Sequence, residues 1–212
     1  MPDELRAAYL CERRELAVVN LAERGTVTVD GETFTLDHHD MLYVGRGSRE
    51  VVLAGSGARF YLVSAPAGER HRTTLARAVD AETLQLGDAE TSNARALRRY
   101  IHAGGVASER IVVGITTLEP GSVWNTMPPH THDRRTEVYL YTGLGAGDRV
   151  MHLCGRPDDL RLMVLADGQA VISPPWSVHS GAATAAYSFV WAMAGENQAF
   201  EDMDPVAVQD LM

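Results

Sequence analysis

Short β-rich runs broken by Gly, Asp and Ser leave this chain little alternative to antiparallel sheets. Over residues 16–64 they read LAVVNL, GTVTVDGETFTL, MLYVG, EVVLA and RFYLVSA. β-branched and aromatic residues favour a pleated strand, and the polar breaks are turn chemistry. Within VTVDGETFTL, Asp30 and Gly31 stand where a two-residue hairpin turn requires positive φ. The alternation fades over residues 66–99 and returns after Ile111 in RIVVGITTLEPG, EVYLYTGL, RVMHLCG, LRLMVLADGQAVIS and AAYSFVWAMAG. Two β segments of similar rhythm around one connection predict an all-β, duplicated architecture. The expected parts are an N-terminal jelly-roll-like barrel over residues 1–65, a partly helical linker over 66–110 with its helix near 92–101, and a C-terminal barrel over 111–212. The repeat shows in the letters, with VDG at 29–31 answering ADG at 166–168.

Composition narrows what such a chain can do. At 212 residues and 45% hydrophobic content it can bury a full core without crosslinks. A net charge of -9 without a basic block argues against a nucleic-acid partner, since phosphate binding draws on clustered cations. Cys11 and Cys154 lack CxxC spacing, so neither a disulfide framework nor a thiolate metal site is indicated, and a reducing cytoplasm is expected. The first fifteen residues lack a basic-then-apolar signal pattern, and no run of apolar residues is long enough to span a bilayer, so neither export nor membrane insertion is expected. All 19 basic residues are Arg, and the absence of Lys excludes Schiff-base catalysis through a lysine amine.

The chemical signal lies in PHTHDRRTE, residues 129–137, and PPWSVH, residues 174–179. His130 and His132 are two apart, so on a strand both imidazoles project from one face and can share an ion. Glu137, five beyond His132, would face away on an unbroken strand. A turn through Asp133, Arg134 and Arg135 brings its carboxylate back. His179, expected in a polar corner after the QAVIS strand, can supply a fourth donor from across a barrel. Three imidazoles and a carboxylate suit Zn, Mn, Fe or Ni with positions left for substrate oxygens.

The HxH, Glu and distant His arrangement resembles the metal-binding cupin pattern. WNTMPPHTHDRRTEVYLY, AVISPPWSVHSG and MAGENQAFEDMD are similar to the 5-keto-4-deoxyuronate isomerases, also called 4-deoxy-L-threo-5-hexosulose-uronate ketol-isomerases, and LGDAETSN, CERRELAVVNL and LYVGRG extend the likeness over nearly the whole chain. The resemblance implies a bicupin fold and one zinc per chain on His130, His132, Glu137 and His179. It further implies a homo-oligomer acting on a small uronate sugar, converting 5-dehydro-4-deoxy-D-glucuronate to 3-deoxy-D-glycero-2,5-hexodiulosonate in pectin and uronate breakdown. Trp176 stands where general cupins carry Gly, a departure the isomerase family shares. Members of that family have an additional stretch ahead of the position of Cys11, so the N-terminal barrel is expected to be shortened, and it is expected to be metal-free. A cupin oxygenase using iron and O2, and a non-catalytic sugar-binding bicupin, are the rival readings.

Other residues carry weaker expectations. Arg134, Arg135 and Arg161 are candidates to fork onto a substrate carboxylate, because guanidinium geometry matches it. Trp176 and Trp191 are candidate pocket walls, and Glu196 is the candidate acid or base. His38 and His39 read as a solvated turn. Tyr9, Cys11 and Arg49 occupy, in the N-terminal barrel, roughly the places of the histidines in the second.

Overall fold

The computed structural model describes residues 3–212. Its chain divides into two compact units, one running to Glu82 and including Arg99–Val113, the other made of Thr83–Arg98 and Gly114–Met212.

In the first unit β1 (Arg14–Asn20), β2 (Gly25–Val29), β3 (Glu32–Leu36), β4 (Met41–Val44), β5 (Val51–Ala54), β6 (Phe60–Pro66) and β7 (Thr74–Ala76) make two antiparallel sheets, ordered β6-β1-β4-β7 and β3-β2-β5. Alternate residues supply the core: Leu16 and Val18 from β1, Val27 and Val29 from β2, and Leu42 and Val44 from β4 pack with Leu36 and Cys11. That spacing of two is the strand period, and it puts one face of each strand inside. Asp30 (φ 48°) and Gly31 (φ 90°) form the hairpin turn between β2 and β3 as the sequence predicts. Glu15, fully buried on β1, accepts the Tyr43 hydroxyl and the backbone N–H groups of Glu109, Arg110 and Ile111 at 2.7–2.9 Å. One carboxylate thereby fixes the segment leading into the next strand.

The remaining strands are β8 (Glu82–Leu86), β9 (Arg95–Ile101), β10 (Ile111–Leu118), β11 (Trp124–Asn125), β12 (His130–Thr131), β13 (Arg135–Thr142), β14 (Val150–Arg156), β15 (Asp159–Leu165), β16 (Ala170–Ser173), β17 (Val178–Ala183), β18 (Ser188–Gly195) and β19 (Asp204–Pro205). They form a six-stranded sheet ordered β16-β13-β18-β10-β9-β8, a four-stranded sheet ordered β11-β17-β14-β15, and the small pair β12-β19. The division between units falls within β8, β9 and β10.

The all-β class is as expected, and the helical linker is not. The helix predicted near residues 92–101 is strand β9, and the expected linker also contains β7 and β8. Arg, Ala and Leu are good helix formers, but RALRRYI finds partners for its backbone between β10 and β8, and that pairing overrides local preference. Helical turns among the described residues are short 3-10 segments at Asp3–Leu5, Leu10–Glu12 and Val208–Asp210. Among the described residues no helix is long and apolar enough to cross a membrane.

Candidate metal centre

His130, His132, Glu137 and His179 converge in the second unit, with one donor atom from each lying within 4.8 Å of the others. The local folding is close to that expected. His130 sits on β12 opposite Pro205 of β19. A turn closed by the Arg135 N–H donating to the His132 carbonyl, 3.1 Å, reverses the chain and starts β13. Glu137 then falls between Met193 of β18 and Ser173 of β16. His179 is on strand β17 opposite Cys154 and not in a corner; the corner is the preceding turn, where the Ser177 N–H meets the Pro174 carbonyl at 2.9 Å.

His132, Glu137 and His179 are buried and His130 is half-buried. His132 Nδ1 lies 3.2 Å from the Arg135 carbonyl and His179 Nδ1 3.3 Å from the Ser177 carbonyl. A carbonyl oxygen only accepts, so each Nδ1 carries a proton, and in the neutral, ligating ring each Nε2 then presents a lone pair. Those Nε2 atoms stand 2.9 and 2.8 Å from Glu137 Oε2. The His179 approach has ion-pair distance without hydrogen-bond direction, so its Nε2 has no hydrogen-bond partner. Lone pairs converging on a buried carboxylate repel one another unless something positive lies among them. A divalent cation accepted by all four donors resolves the conflict, and the donor set fits one. Burial, with His179 next in weight, pushes His130 down to about 3 and keeps it in the neutral, ligating form. Burial alone would raise Glu137, but the neighbouring His179 and His132 outweigh it and hold the carboxyl below its usual range.

The centre opens on a cavity of about 360 Å³ whose wall includes His130 and Glu137. Strand periodicity builds that wall. Leu84 and Leu86, Arg95 and Leu97, Glu137 and Tyr139, and Phe189, Trp191 and Met193 are spaced by two, one face of the six-stranded sheet. Thr126 and Tyr139 add a pair of hydroxyls 2.8 Å apart, and Phe200, Met203 and Pro205 close the wall from the C-terminal segment. Burial, reinforced by Glu137, raises Tyr139 well above the usual phenol value, so its hydroxyl keeps its proton. Trp191 rests where Gly114 leaves room: a Cβ there would lie 2.0 Å from the ring.

The other expected site residues lie elsewhere. Arg134 donates to Asp202 and Asp204 at 2.7 and 2.6 Å, and the buried Arg135 donates to the carbonyls of Ala199 and Asp202. The chain's own acceptors thus fill the fork expected to take a substrate carboxylate. Arg161 is exposed on the edge strand β15 beside Asp159, and Trp176 is 45% exposed beneath the Arg156 guanidinium. Glu196 is exposed, and neither it, Arg161 nor Trp176 contributes to the cavity wall. Trp191 does. Sequence reasoning missed Arg95 and Tyr139. Tyr139 follows Glu137 by two and shares its face, a signal available in the letters, whereas Arg95 lay in the presumed linker.

Comparison with known proteins adds three findings. The sequence profile of the KduI/IolB family matches residues 2–209. A protein of Kineococcus radiotolerans named 4-deoxy-L-threo-5-hexosulose-uronate ketol-isomerase is 58% identical over 98% of this chain and 77% of its own length, and one of the same name from Bacillus pumilus is 51% identical over 99% and 77%. Among solved structures, an IolB-like protein from Salmonella typhimurium LT2 superposes with a TM-score of 0.77 at 15% identity, covering 92% of this chain and 81% of that one. A formate complex of oxalate decarboxylase from Lactobacillus farciminis does so with a TM-score of 0.65 at 11% identity, covering 94% and 74%.

Proposed function

The chain belongs to the KduI/IolB family, and from that premise we propose that it is a metal-dependent ketol-isomerase converting 5-dehydro-4-deoxy-D-glucuronate to 3-deoxy-D-glycero-2,5-hexodiulosonate. The observation that carries this reading is the convergence of three imidazoles and one buried carboxylate at the wall of a cavity. The name shared by relatives 58% and 51% identical supplies the reaction. His130, His132, Glu137 and His179 would hold one zinc per chain, and Mn, Fe or Ni suits the same donors. Bound there, the ion supplies Lewis acidity, which favours negative charge developing on neighbouring oxygens.

In the substrate's numbering, isomerisation removes a proton from C2 and places one on C1, while the hydroxyl proton leaves the C2 oxygen and one is gained by the C1 oxygen, so that the carbonyl passes from C1 to C2. Tyr139, protonated and paired with Thr126, is the group that donates a hydrogen bond to an oxygen gaining charge. The apolar side chains of Phe189, Trp191 and Met193 restrict water. Glu196, exposed and outside that wall, is dispensable on this account. We read the two β units as the paired cupin barrels of a cytoplasmic enzyme that assembles with copies of itself. The outward apolar side chains of Leu162 and Val164 on edge strand β15, and of Ile172 on edge strand β16, favour such assembly.

Turnover in D2O tests the reaction. Proton transfer through an enediol is expected to place solvent deuterium on the hydroxymethyl carbon of the ketose, the former aldehyde carbon of the substrate, in wild type and in Glu196→Gln alike. A ketose formed without solvent deuterium would point to a hydride shift, and absence of ketose would remove the assignment.

A further inference from the structure

We propose that Arg95 is the carboxylate anchor of the cavity, and that with Thr116 and Trp191 it selects acid sugars over neutral ones. The inference rests on the isomerase reading and assigns the end of the substrate remote from the reacting carbonyl.

Arg95 shares a face of β9 with Leu97, and both line the cavity that His130 and Glu137 also line. Its side chain makes one hydrogen bond, from Nη1 to the Asn93 carbonyl at 2.7 Å, and among the described residues no carboxylate lies within ion-pair distance of it. Every other guanidinium considered for substrate binding is paired within the chain or stands outside the wall. A half-buried cation with most of its donors uncommitted is costly to keep, and a ligand carboxylate that accepts its planar fork offsets the cost. Two further residues of the same wall carry polar atoms without a partner. Thr116 Oγ1 and Trp191 Nε1 belong to side chains 1% and 3% exposed, and neither has a hydrogen-bond partner. Buried hydroxyl and indole N–H groups are ordinarily satisfied. A carboxylate and an adjoining hydroxyl of a uronate would satisfy both, while the carbonyl end lies toward the histidines.

The test uses the metal-loaded enzyme as wild type, Arg95→Lys and Arg95→Met, with metal content and melting temperature measured for each. Two readouts are taken: steady-state turnover of 5-dehydro-4-deoxy-D-glucuronate, and calorimetric binding of D-glucuronate against D-glucose. Arg95→Met is expected to raise KM about 10- to 100-fold, the worth of charge-assisted hydrogen bonds, with a smaller change in kcat. It is also expected to abolish the preference for glucuronate over glucose while keeping full metal content and an undiminished melting temperature. Arg95→Lys should fall between the two. An Arg95→Met enzyme with wild-type KM and preference would overturn the proposal, as would one that loses metal and fold together. Wild type that fails to turn over the uronate would instead remove the isomerase reading. The anchor is then decided by glucuronate preference alone, upheld if wild type has it and Arg95→Met lacks it, overturned if wild type has none.

Discussion

His152 shows how a single buried side chain sets a pH limit on the fold. It is fully buried on β14, with Nδ1 2.6 Å from the Tyr141 hydroxyl and Nε2 without a partner. Burial, with His179 next, pushes it down to about 3 from the ordinary 6.5, and His130 is pushed to about 3 by the same causes. The sign follows from linkage. Below 6.5 the unfolded chain takes up protons that the folded chain refuses, so stability is fully present above that pH and is lost as pH falls toward 3. Melting of the chelated protein is therefore expected to be level above pH 6.5 and to fall steadily between 6.5 and 3. His152→Leu should make that fall shallower by one proton's worth. An unaltered slope in His152→Leu would show that this imidazole does not titrate on unfolding.

At the scale of elements, two arginines hold the C-terminal segment against the site. Arg134 binds Asp202 and Asp204, Arg135 binds the carbonyls of Ala199 and Asp202, and β19 pairs with the strand that carries His130. That segment supplies Phe200, Met203 and Pro205 to the cavity wall. Removing the Arg135 fork leaves carbonyls without donors, at roughly 1–3 kcal/mol each where they are buried. Arg135→Met is expected to speed amide hydrogen exchange over residues 199–206, with exchange in β13 and β18 nearly unchanged. Equal acceleration in both strands would instead make Arg135 a support of the whole sheet. These elements also show what the letters could and could not disclose. The β2–β3 hairpin, the convergence of His130 and His132 and the returning Glu137 were legible because each depends on neighbours within a few residues, although β12 ends at Thr131 and His132 lies just past it. The placement of β9 was not, because RALRRYI becomes a strand only by pairing with β10 and β8, and Arg95 reaches the cavity only through that pairing. The partners of Arg134 and Arg135 were not legible for a related reason: these acceptors lie more than sixty residues away.

At the scale of the whole molecule, the outward apolar residues on two edge strands bear on assembly. Leu162, Val164 and Ile172 are 59%, 60% and 69% exposed. Light scattering on the eluting protein is expected to give a mass above one chain, reduced in a Leu162→Glu, Val164→Glu variant that still binds its metal. A monomeric wild type would contradict the assembly reading and leave the site untouched. If His130, His132, Glu137 and His179 hold the ion on which isomerisation depends, titrating metal into chelated protein while following uronate turnover will show it. No turnover is expected without metal, then a rise linear in added ion that stops at about one per chain, and neither binding nor rise in a His130→Ala, His132→Ala variant. Full turnover by metal-free protein, or full metal binding by that double variant, would contradict it.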